Sequence, residues 1–264
     1  MSKTVVISGA SSGIGLATAH LFYDKGYNVI GISRNYPTDK YNFKYLLCDI
    51  TKEDEVEALK DKLVQMIDSI DVLVNCAGMG VSGALEYSTL KEAKKIFDVN
   101  VFGHFLLTKN LLPLLRKSNN AKIINIGSVA GEITIPFQTF YSMTKAAINS
   151  FSEGLRIELA PFNIQVSNLQ PGDVKTDFTK NREMPIVLED DIYKDRIKKS
   201  IARMAKDEEQ GMPTYILAKA IFNLANKKRL PVAKTVGFKY KLFVFLKRLL
   251  PKRFVSFIIK KMYG

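Results

Sequence analysis

Short apolar runs alternate with longer segments of helical periodicity along most of the chain. The aliphatic-rich runs predict strands over 4–8, 28–32, 43–48, 71–75, 122–127, 163–169 and 232–236. Segments with apolar residues three and four apart predict helices over 16–25, 52–69, 89–117, 141–159 and 213–226. Pro113 predicts a kink or break in the helical region over 89–117. The run over 43–48 is interpreted as a buried strand. Because strands alternate with helices, the sheet is expected to be parallel. The alternation predicts one doubly wound α/β domain, with right-handed crossovers and a mainly parallel sheet of about seven strands.

One internal stretch departs from this alternation. Residues 173–212 lack strand character and are rich in charge and Met, which predicts a lid over the carboxyl ends of the strands. An apolar pocket beneath it is suggested by hydrophobic side chains at 131–137 and at Met184, Ile186, Val187 and Leu188. No repeat or linker divides residues 1–237, which we interpret as a single domain.

Residues 238–264 carry two basic amphipathic patterns separated by Pro251. Five apolar residues of the first pattern are predicted to share one helix face: Leu242, Phe245, Leu246, Leu249 and Leu250. Three interpretations remain open. The apolar faces pack on the body or form part of a dimer contact or of the active-site wall; they lie in a membrane interface; or they bind an acidic partner such as an acyl carrier protein.

The net charge of +13 is confined to the end of the chain. Residues 211–264 hold 13 Lys or Arg and no Asp or Glu, whereas the whole chain has 39 basic and 26 acidic residues, so the body is neutral. No nucleic-acid-binding motif accompanies the charge, and a nucleic-acid partner is not expected. No signal-peptide pattern is visible, and no apolar run reaches the roughly 18–20 residues of a membrane-spanning helix. We therefore expect a cytoplasmic protein, with peripheral membrane contact through the tail left open.

A glycine-rich segment, Gly9–Gly15, lies between the first predicted strand and helix. Glycines there let the backbone approach a pyrophosphate, which the free N–H groups of a helix N-terminus stabilise. After the second predicted strand an acidic residue would select NAD, but none occurs before Asp39. Arg34 instead offers a guanidinium suited to a 2′-phosphate. The pattern favours NADP(H) over NAD(H); a plain tight turn and a solvated arginine are the alternatives.

Tyr141 and Lys145 stand four residues apart at the start of a predicted helix, so their side chains share one face. A nearby ammonium favours phenolate, so Lys145 is expected to lower the pKa of Tyr141 from its ordinary value of roughly 10. Such a pair can transfer protons, although the same spacing also arises by chance on exposed helices. Ser128 follows the fifth predicted strand, at the sheet edge where ligands bind in open α/β folds. His104 is interpreted as a packed or surface residue.

Together these features identify a resemblance to the short-chain dehydrogenases/reductases with a single Rossmann-type domain, over residues 3–237. The motifs that carry it occur in the family's order: Gly9-x3-Gly13-x-Gly15, Asp49, Asn75-Cys76-Ala77-Gly78, Asn100, Ser128, Tyr141-x3-Lys145 and Pro171-Gly172 followed by Thr176. Three positions differ from the family's usual residues: Ser8 replaces Thr, Cys76 replaces a second Asn, and Met143-Thr144 replaces Ala-Ser. None of these changes the catalytic residue types.

The resemblance implies interconversion of a carbonyl and a secondary alcohol by hydride transfer with NADP(H), with Tyr141 as general acid/base. Ser128 would hydrogen-bond the substrate oxygen, Lys145 would bind the nicotinamide ribose, and Asn100 would hold a water on the path to Lys145. The cofactor would be lined by Gly9, Ser11, Ser12, Gly13, Ile14, Gly15, Arg34, Asp49, Ile50, Asn75, Ala77, Gly78, Asn100, Tyr141, Lys145, Pro171, Gly172, Val174 and Thr176.

The tail is similar to that of family members acting on hydrophobic alcohols and ketones, such as steroids, retinoids or long acyl chains. We expect a small-molecule substrate, no metal, and assembly as a homodimer or homotetramer. The alternative is a non-catalytic nucleotide-binding or membrane-surface scaffold with the same fold. The intact set of Ser128, Tyr141 and Lys145 favours the enzyme, because a pure binder does not need a phenol beside an ammonium.

Overall fold

The fold is known from a computed structural model that describes residues 2–38, 41–178, 182–183 and 192–263. The strands are β1 (Thr4–Ser8), β2 (Asn28–Ser33), β3 (Lys44–Leu47), β4 (Val72–Asn75), β5 (Lys122–Ile126), β6 (Gln165–Pro171), β7 (Val174–Lys175), β8 (Met212–Pro213) and β9 (Ala233–Val236). The α-helices are α1 (Gly13–Asp24), α2 (Glu53–Met66), α3 (Leu90–Phe97), α4 (Gly103–Arg116), α5 (Thr139–Glu158), α6 (Lys194–Glu209), α7 (Thr214–Ala225), α8 (Phe238–Leu249) and α9 (Lys252–Tyr263). The described ranges do not include Asp39, Met184, Ile186, Val187 and Leu188.

Among the described residues, seven strands form one parallel sheet in the order β3-β2-β1-β4-β5-β6-β9, which confirms the predicted doubly wound α/β fold. Helices α1 and α7 pack on one face, and α2 and α4 pack on the other. Strands β1, β4 and β5 are therefore buried on both faces, which explains why their sequences read as continuous apolar runs.

The strand order reverses direction at the pair β1 and β4. The chain moves outward from β1 through β2 to β3, then returns to β4 and moves outward the other way through β5 and β6. In such sheets the loops after the two central strands turn to opposite faces and leave a crevice at their carboxyl ends. The loops after β1 and β4 carry the glycine segment and Asn75–Gly78, so the topology places both motifs at this crevice.

The long helical region predicted over 89–117 is interrupted at a different place from the one expected. Helices α3 and α4 are separated by a π-helical turn, Asp98–Phe102, and Pro113 lies inside α4 without ending it. The turn contains the buried Asn100. Single π turns inside helices re-aim one side chain and are frequent at functional sites. A break at Pro113 is therefore wrong, because the region divides at Asp98–Phe102 instead.

Two smaller predictions need correction. Strand β3 pairs with β2 at the sheet edge, and its Lys44 and Leu47 are exposed, so it is not the buried strand expected over 43–48. The segment 173–212 does contain strand, because β7 and β8 pair with each other, and it also contains α6.

The two helices expected after Gly237 are present as α8 and α9. Helix α8 follows β9 directly and contacts it, while α9 lies beside α6. Among the described residues, no helix combines the length and the hydrophobicity of a membrane-spanning segment.

Candidate active site

The turn after β1 has a backbone that demands glycine. Gly9 and Gly13 adopt positive φ angles of 67° and 54°. A methyl group on Gly15 would lie 2.1 Å from the Gly9 carbonyl oxygen, so this position excludes every larger residue. Ser12 precedes α1 in an extended conformation without capping it through its side chain, and the first turn holds no acidic residue. The N-terminus of α1 can therefore accept an anionic group from a ligand.

The loop after β4 is held against this turn by hydrogen bonds to its backbone. The Ser8 hydroxyl accepts from the backbone N–H groups of Cys76 and Ala77, at 3.1 and 3.3 Å. His104 Nε2 lies 2.8 Å from the Ala77 carbonyl oxygen. Burial, reinforced by the Lys145 charge, lowers the pKa of His104 to about 4, so its ring is neutral and donates this bond. His104 is thus packed in the interior, as interpreted from the sequence.

Tyr141, Lys145 and Ser128 meet at the carboxyl end of β5. The Lys145 ammonium donates to the Ile126 carbonyl oxygen at 2.9 Å and lies 5.7 Å from the centre of the Tyr141 ring. Ser128 comes from the turn after β5, where its hydroxyl accepts from the Ala130 N–H at 3.0 Å. The Tyr141 ring also packs on Phe178, with the ring centres 5.7 Å apart. A phenol, an ammonium and an alcohol therefore converge where the sheet topology places ligands.

The pKa of Tyr141 is shifted in the direction opposite to expectation. Burial raises it to about 12, and the hydrogen bond with Ser128 offsets only part of that rise. Burial also lowers the pKa of Lys145 to about 8. The expected lowering of the Tyr141 pKa is therefore wrong for this structure, because the loss of water around the phenol outweighs both the Ser128 hydrogen bond and the charge of Arg182. At neutral pH Tyr141 carries its proton, which is the form an acid needs.

Asn100 connects the π turn to the helix that carries Tyr141 and Lys145. Its Oδ1 accepts from the Met79 N–H at 2.8 Å, and its Nδ2 donates to the Met79 carbonyl at 3.0 Å and to Thr144 Oγ1 at 3.1 Å. The Thr144 hydroxyl in turn donates to the Tyr141 carbonyl at 2.8 Å. These bonds fix the loop after Gly78 and the first two turns of α5 relative to each other.

A cavity of about 790 Å³ joins these parts. It is lined by most residues predicted for the site: Gly9, Ser11, Ser12, Gly13, Ile14, Gly15, Arg34, Asp49, Ile50, Ala77, Gly78, Ser128, Tyr141, Lys145, Pro171, Gly172, Val174 and Thr176. Arg34 is exposed directly after β2 and has no acidic partner within the described ranges. The Asp49 carboxylate accepts from the N–H and the hydroxyl of Thr51, at 3.0 and 2.9 Å.

Comparison with known proteins agrees with this arrangement. The family model described as short chain dehydrogenase matches residues 3–185. The chain belongs to the short-chain dehydrogenase family. It is accordingly an oxidoreductase, either a dehydrogenase or a reductase.

Relatives of this short-chain dehydrogenase match it over nearly its whole length. A 3-ketodihydrosphingosine reductase of Bacteroides thetaiotaomicron is 35% identical, with 99% of this chain and 98% of that protein aligned. A short-chain dehydrogenase from Streptomyces avermitilis, 28% identical, superimposes with a TM-score of 0.81 over 94% of this chain and 93% of its own. The structure of ElxO with NADP bound, 25% identical, has a TM-score of 0.76 over 92% and 100% of the two chains.

Two residues expected to line the cofactor in this short-chain dehydrogenase do not line the cavity. Asn75 is fully buried, and its Nδ2 donates to Thr108 Oγ1 at 2.9 Å and to Asn125 Oδ1 at 2.8 Å. Asn100 is likewise fully buried, with its amide bonded to Met79 and Thr144. The Asn75 amide therefore connects β4 to α4 and β5, and the Asn100 amide connects the loop after Gly78 to α5.

The sequence did not single out several residues that line the cavity. They include Met79, Gln138, Phe178, Met204, Tyr240, Phe243, Ile259 and Met262. Of these, Tyr240, Phe243, Ile259 and Met262 belong to α8 and α9, so the tail supplies one wall of the site. The wall was one of the open interpretations; the amphipathic pattern could signal it but could not tell it from packing elsewhere.

Proposed function

We propose that this short-chain dehydrogenase is an NADP(H)-dependent enzyme that interconverts a carbonyl and a secondary alcohol on a hydrophobic substrate. The observation that carries the proposal is the shared cavity. Tyr141, Ser128 and Lys145 line the same space as the glycine turn after β1, so a bound dinucleotide and a bound carbonyl would meet at the Tyr141 hydroxyl.

The residues present fit a nicotinamide dinucleotide. The uncapped N-terminus of α1 and the glycine turn suit the pyrophosphate, and Asp49 lines the cavity beyond them. Lys145 would bind the ribose next to the nicotinamide. When bound, the cofactor would supply or accept the hydride.

The protein's own part is to hold and move one proton. In the reduction direction the protonated Tyr141 phenol donates to the carbonyl oxygen, and the Ser128 hydroxyl donates a hydrogen bond to the same oxygen as negative charge develops there. The Lys145 ammonium stabilises the phenolate that remains. In the oxidation direction Tyr141 must first lose its proton, and it then takes the alcohol proton back.

Arg34 supports the choice of NADP(H). Its guanidinium lies at the carboxyl end of β2, lines the cavity and meets no described acidic side chain, so it is available for a 2′-phosphate. The complex of ElxO with NADP is consistent with this choice.

A hydrophobic substrate is supported by the apolar part of the cavity. Ile133, Ile135 and Phe178 approach from the body, and Phe243 and Ile259 approach from the tail. An apolar wall of this kind suits a long hydrocarbon chain. The similarity to a 3-ketodihydrosphingosine reductase over nearly the whole of both chains favours a long-chain ketone.

The proposal is tested by absorbance of reduced nicotinamide with a panel of ketones. Short-chain and long-chain 3-ketones, a steroid ketone and an acyl thioester are each offered with NADPH and with NADH. We expect turnover with NADPH, and kcat/KM that rises with chain length. Tight NADPH binding without turnover on any member of the panel would favour the non-catalytic scaffold.

A further inference from the structure

Helix α8 has two apolar faces, and only one of them is used by the cavity. Its inner stripe, defined as Tyr240, Phe243 and Lys247 with Leu250 directly after the helix, lines the cavity together with residues of α9. Its outer stripe, defined as Phe238, Leu242, Phe245 and Leu249, recurs at helical spacing on the opposite side. Phe238 is 85% exposed, Phe245 58% and Leu249 65%.

Helix α9 continues this exposed surface. None of its residues is fully buried, and Phe254 and Phe257 are exposed, while Val255, Ile259 and Met262 line the cavity. The tail thus forms one wall of the cavity with some of its apolar side chains and exposes other large apolar side chains on its outer surface. Exposed aromatic and aliphatic residues grouped in this way mark an interaction surface.

The charge around the outer stripe is of one sign. The described residues 238–263 include eight basic side chains and no acidic one: Lys239, Lys241, Lys247, Arg248, Lys252, Arg253, Lys260 and Lys261. Lys247 pairs with Glu132 at 3.2 Å, and Lys239 lies over the rings of Tyr240 and Phe243. The remaining six meet no acidic side chain among the described residues.

We propose that α8 and α9 dock on an anionic lipid bilayer through the outer stripe. Apolar side chains would enter the headgroup and acyl boundary, and Lys241 and Arg248 beside them would meet lipid phosphates. A second copy of the chain is a poorer occupant, because two such surfaces would set like charges against each other with no acidic side chain to offset them.

This docking would give the proposed substrate a route that avoids water, and this part of the inference rests on the proposed function. The outer and inner stripes are separated by one helix diameter, roughly 10–12 Å. A long-chain ketone dissolved in the bilayer would therefore lie within one helix of the cavity wall formed by Tyr240 and Phe243.

Flotation with vesicles tests the docking without any catalytic step. The full chain is mixed with vesicles of phosphatidylcholine alone or with added phosphatidylglycerol, at low and high salt. We expect the protein to float with the anionic vesicles and to dissociate as salt rises. Phe245→Ser with Leu249→Ser, and separately Lys241→Glu with Arg248→Glu, should each lower the bound fraction at least about tenfold.

Matched controls remove equally exposed apolar side chains elsewhere. Leu90 and Ile157 are 71% and 77% exposed, and neither lines the cavity. Leu90→Ser with Ile157→Ser should leave flotation unchanged. Turnover of a short, water-soluble ketone should be unchanged in all these variants, whereas turnover of a long-chain ketone held in vesicles should fall in the outer-stripe variants alone.

Three results would overturn the docking proposal. The first is a wild-type chain that floats with neither kind of vesicle; the second is an equal loss of flotation in the control variant. The third is self-association, or binding to an acidic acyl carrier protein, that the outer-stripe substitutions abolish while vesicles have no effect. Vesicle binding without turnover on any ketone would instead count against the proposed function and leave the docking intact.

Discussion

Burial shifts the pKa values of the two central titratable groups in opposite directions. It raises that of Tyr141 to about 12 and lowers that of Lys145 to about 8. Both shifts favour the neutral form, as expected when water is removed around a charge. The pair at neutral pH is therefore a phenol that keeps its proton and an ammonium close to losing its own.

This pair predicts different pH profiles for the two directions of the reaction. Reduction needs the protonated phenol, so its rate should be level from pH 6 to 7.5 and should fall above pH 8 as Lys145 loses its charge. Oxidation needs phenolate, which increases about tenfold per pH unit well below the pKa of Tyr141, so its kcat/KM should rise from pH 6 to 8. Initial rates in both directions check this; an oxidation rate that falls over that range would contradict it.

Arg34 predicts the balance between the two cofactors. Arg34→Asp removes the guanidinium and adds a carboxylate that repels a 2′-phosphate, so the preference for NADPH over NADH should fall by about 10²-fold. Fluorescence titration with each cofactor measures the change. Arg229→Asp, an equal change of charge at an exposed residue outside the cavity, is the control and should leave the preference as it is.

The start of α1 packs so closely on the turn after β1 that Gly15 has no room for a side chain. Gly15 lies at the start of α1 against the Gly9 carbonyl, whereas Gly154 lies inside α5 with open space around its missing side chain. Substitution by alanine is therefore expected to have opposite effects on stability at these two glycines.

Gly15→Ala should weaken NADPH binding at least about tenfold and destabilise the fold, because the new methyl group forces the turn apart. Gly154→Ala should leave binding unchanged and stabilise the protein by about 0.5–1 kcal/mol, because alanine loses less backbone entropy in a helix. Cofactor titration and thermal unfolding of the two variants check this. Equal behaviour in both assays would count against the account of the turn.

Strands that are buried on both faces could be predicted from the sequence, whereas irregular backbone could not. Continuous apolar runs such as those of β1, β4 and β5 are typical of strands in a parallel sheet that is covered on both faces. The π turn at Asp98–Phe102 leaves no such signal, since the apolar periodicity continues through it. Its buried Asn100 is bonded to Met79 and Thr144, which are distant in the sequence. A proline is a visible marker in the sequence, but Pro113 is accommodated within α4.

The whole molecule combines a Rossmann-type body with a tail that closes its site. The Tyr240 ring lies where side chains on Gly172 or Gly237 would be, and its hydroxyl bonds with the Asp173 carboxylate. This contact attaches α8 to the loop after β6, directly beside the cavity. The residues of the glycine turn and of the phenol–ammonium pair could be predicted because local backbone and chemistry dictate them. The cavity wall formed by α8 and α9 could not be predicted, because the sequence of an amphipathic helix does not indicate which surface its apolar face covers.

Substitutions at Tyr240 test whether its contacts hold α8 against the cavity. Tyr240→Ala removes a packed aromatic ring worth about 1.5–3 kcal/mol, so α8 should detach more often and KM for a long-chain ketone should rise roughly tenfold. Tyr240→Phe keeps the ring and should have a smaller effect. Limited proteolysis after residue 237 and steady-state kinetics measure the two consequences. A tail that is equally protected in wild type and in Tyr240→Ala would show that this contact does not hold it.

Tyr141 is the proposed donor of the proton that the carbonyl oxygen takes up when hydride is transferred to its carbon. The most direct test of this role is single-turnover oxidation of NADPH by wild type and by Tyr141→Phe, with the best ketone of the panel. We predict that the variant binds NADPH with unchanged affinity while the rate of the chemical step falls about 10²–10⁴-fold. A Tyr141→Phe enzyme that oxidises NADPH at the wild-type rate would contradict the claim.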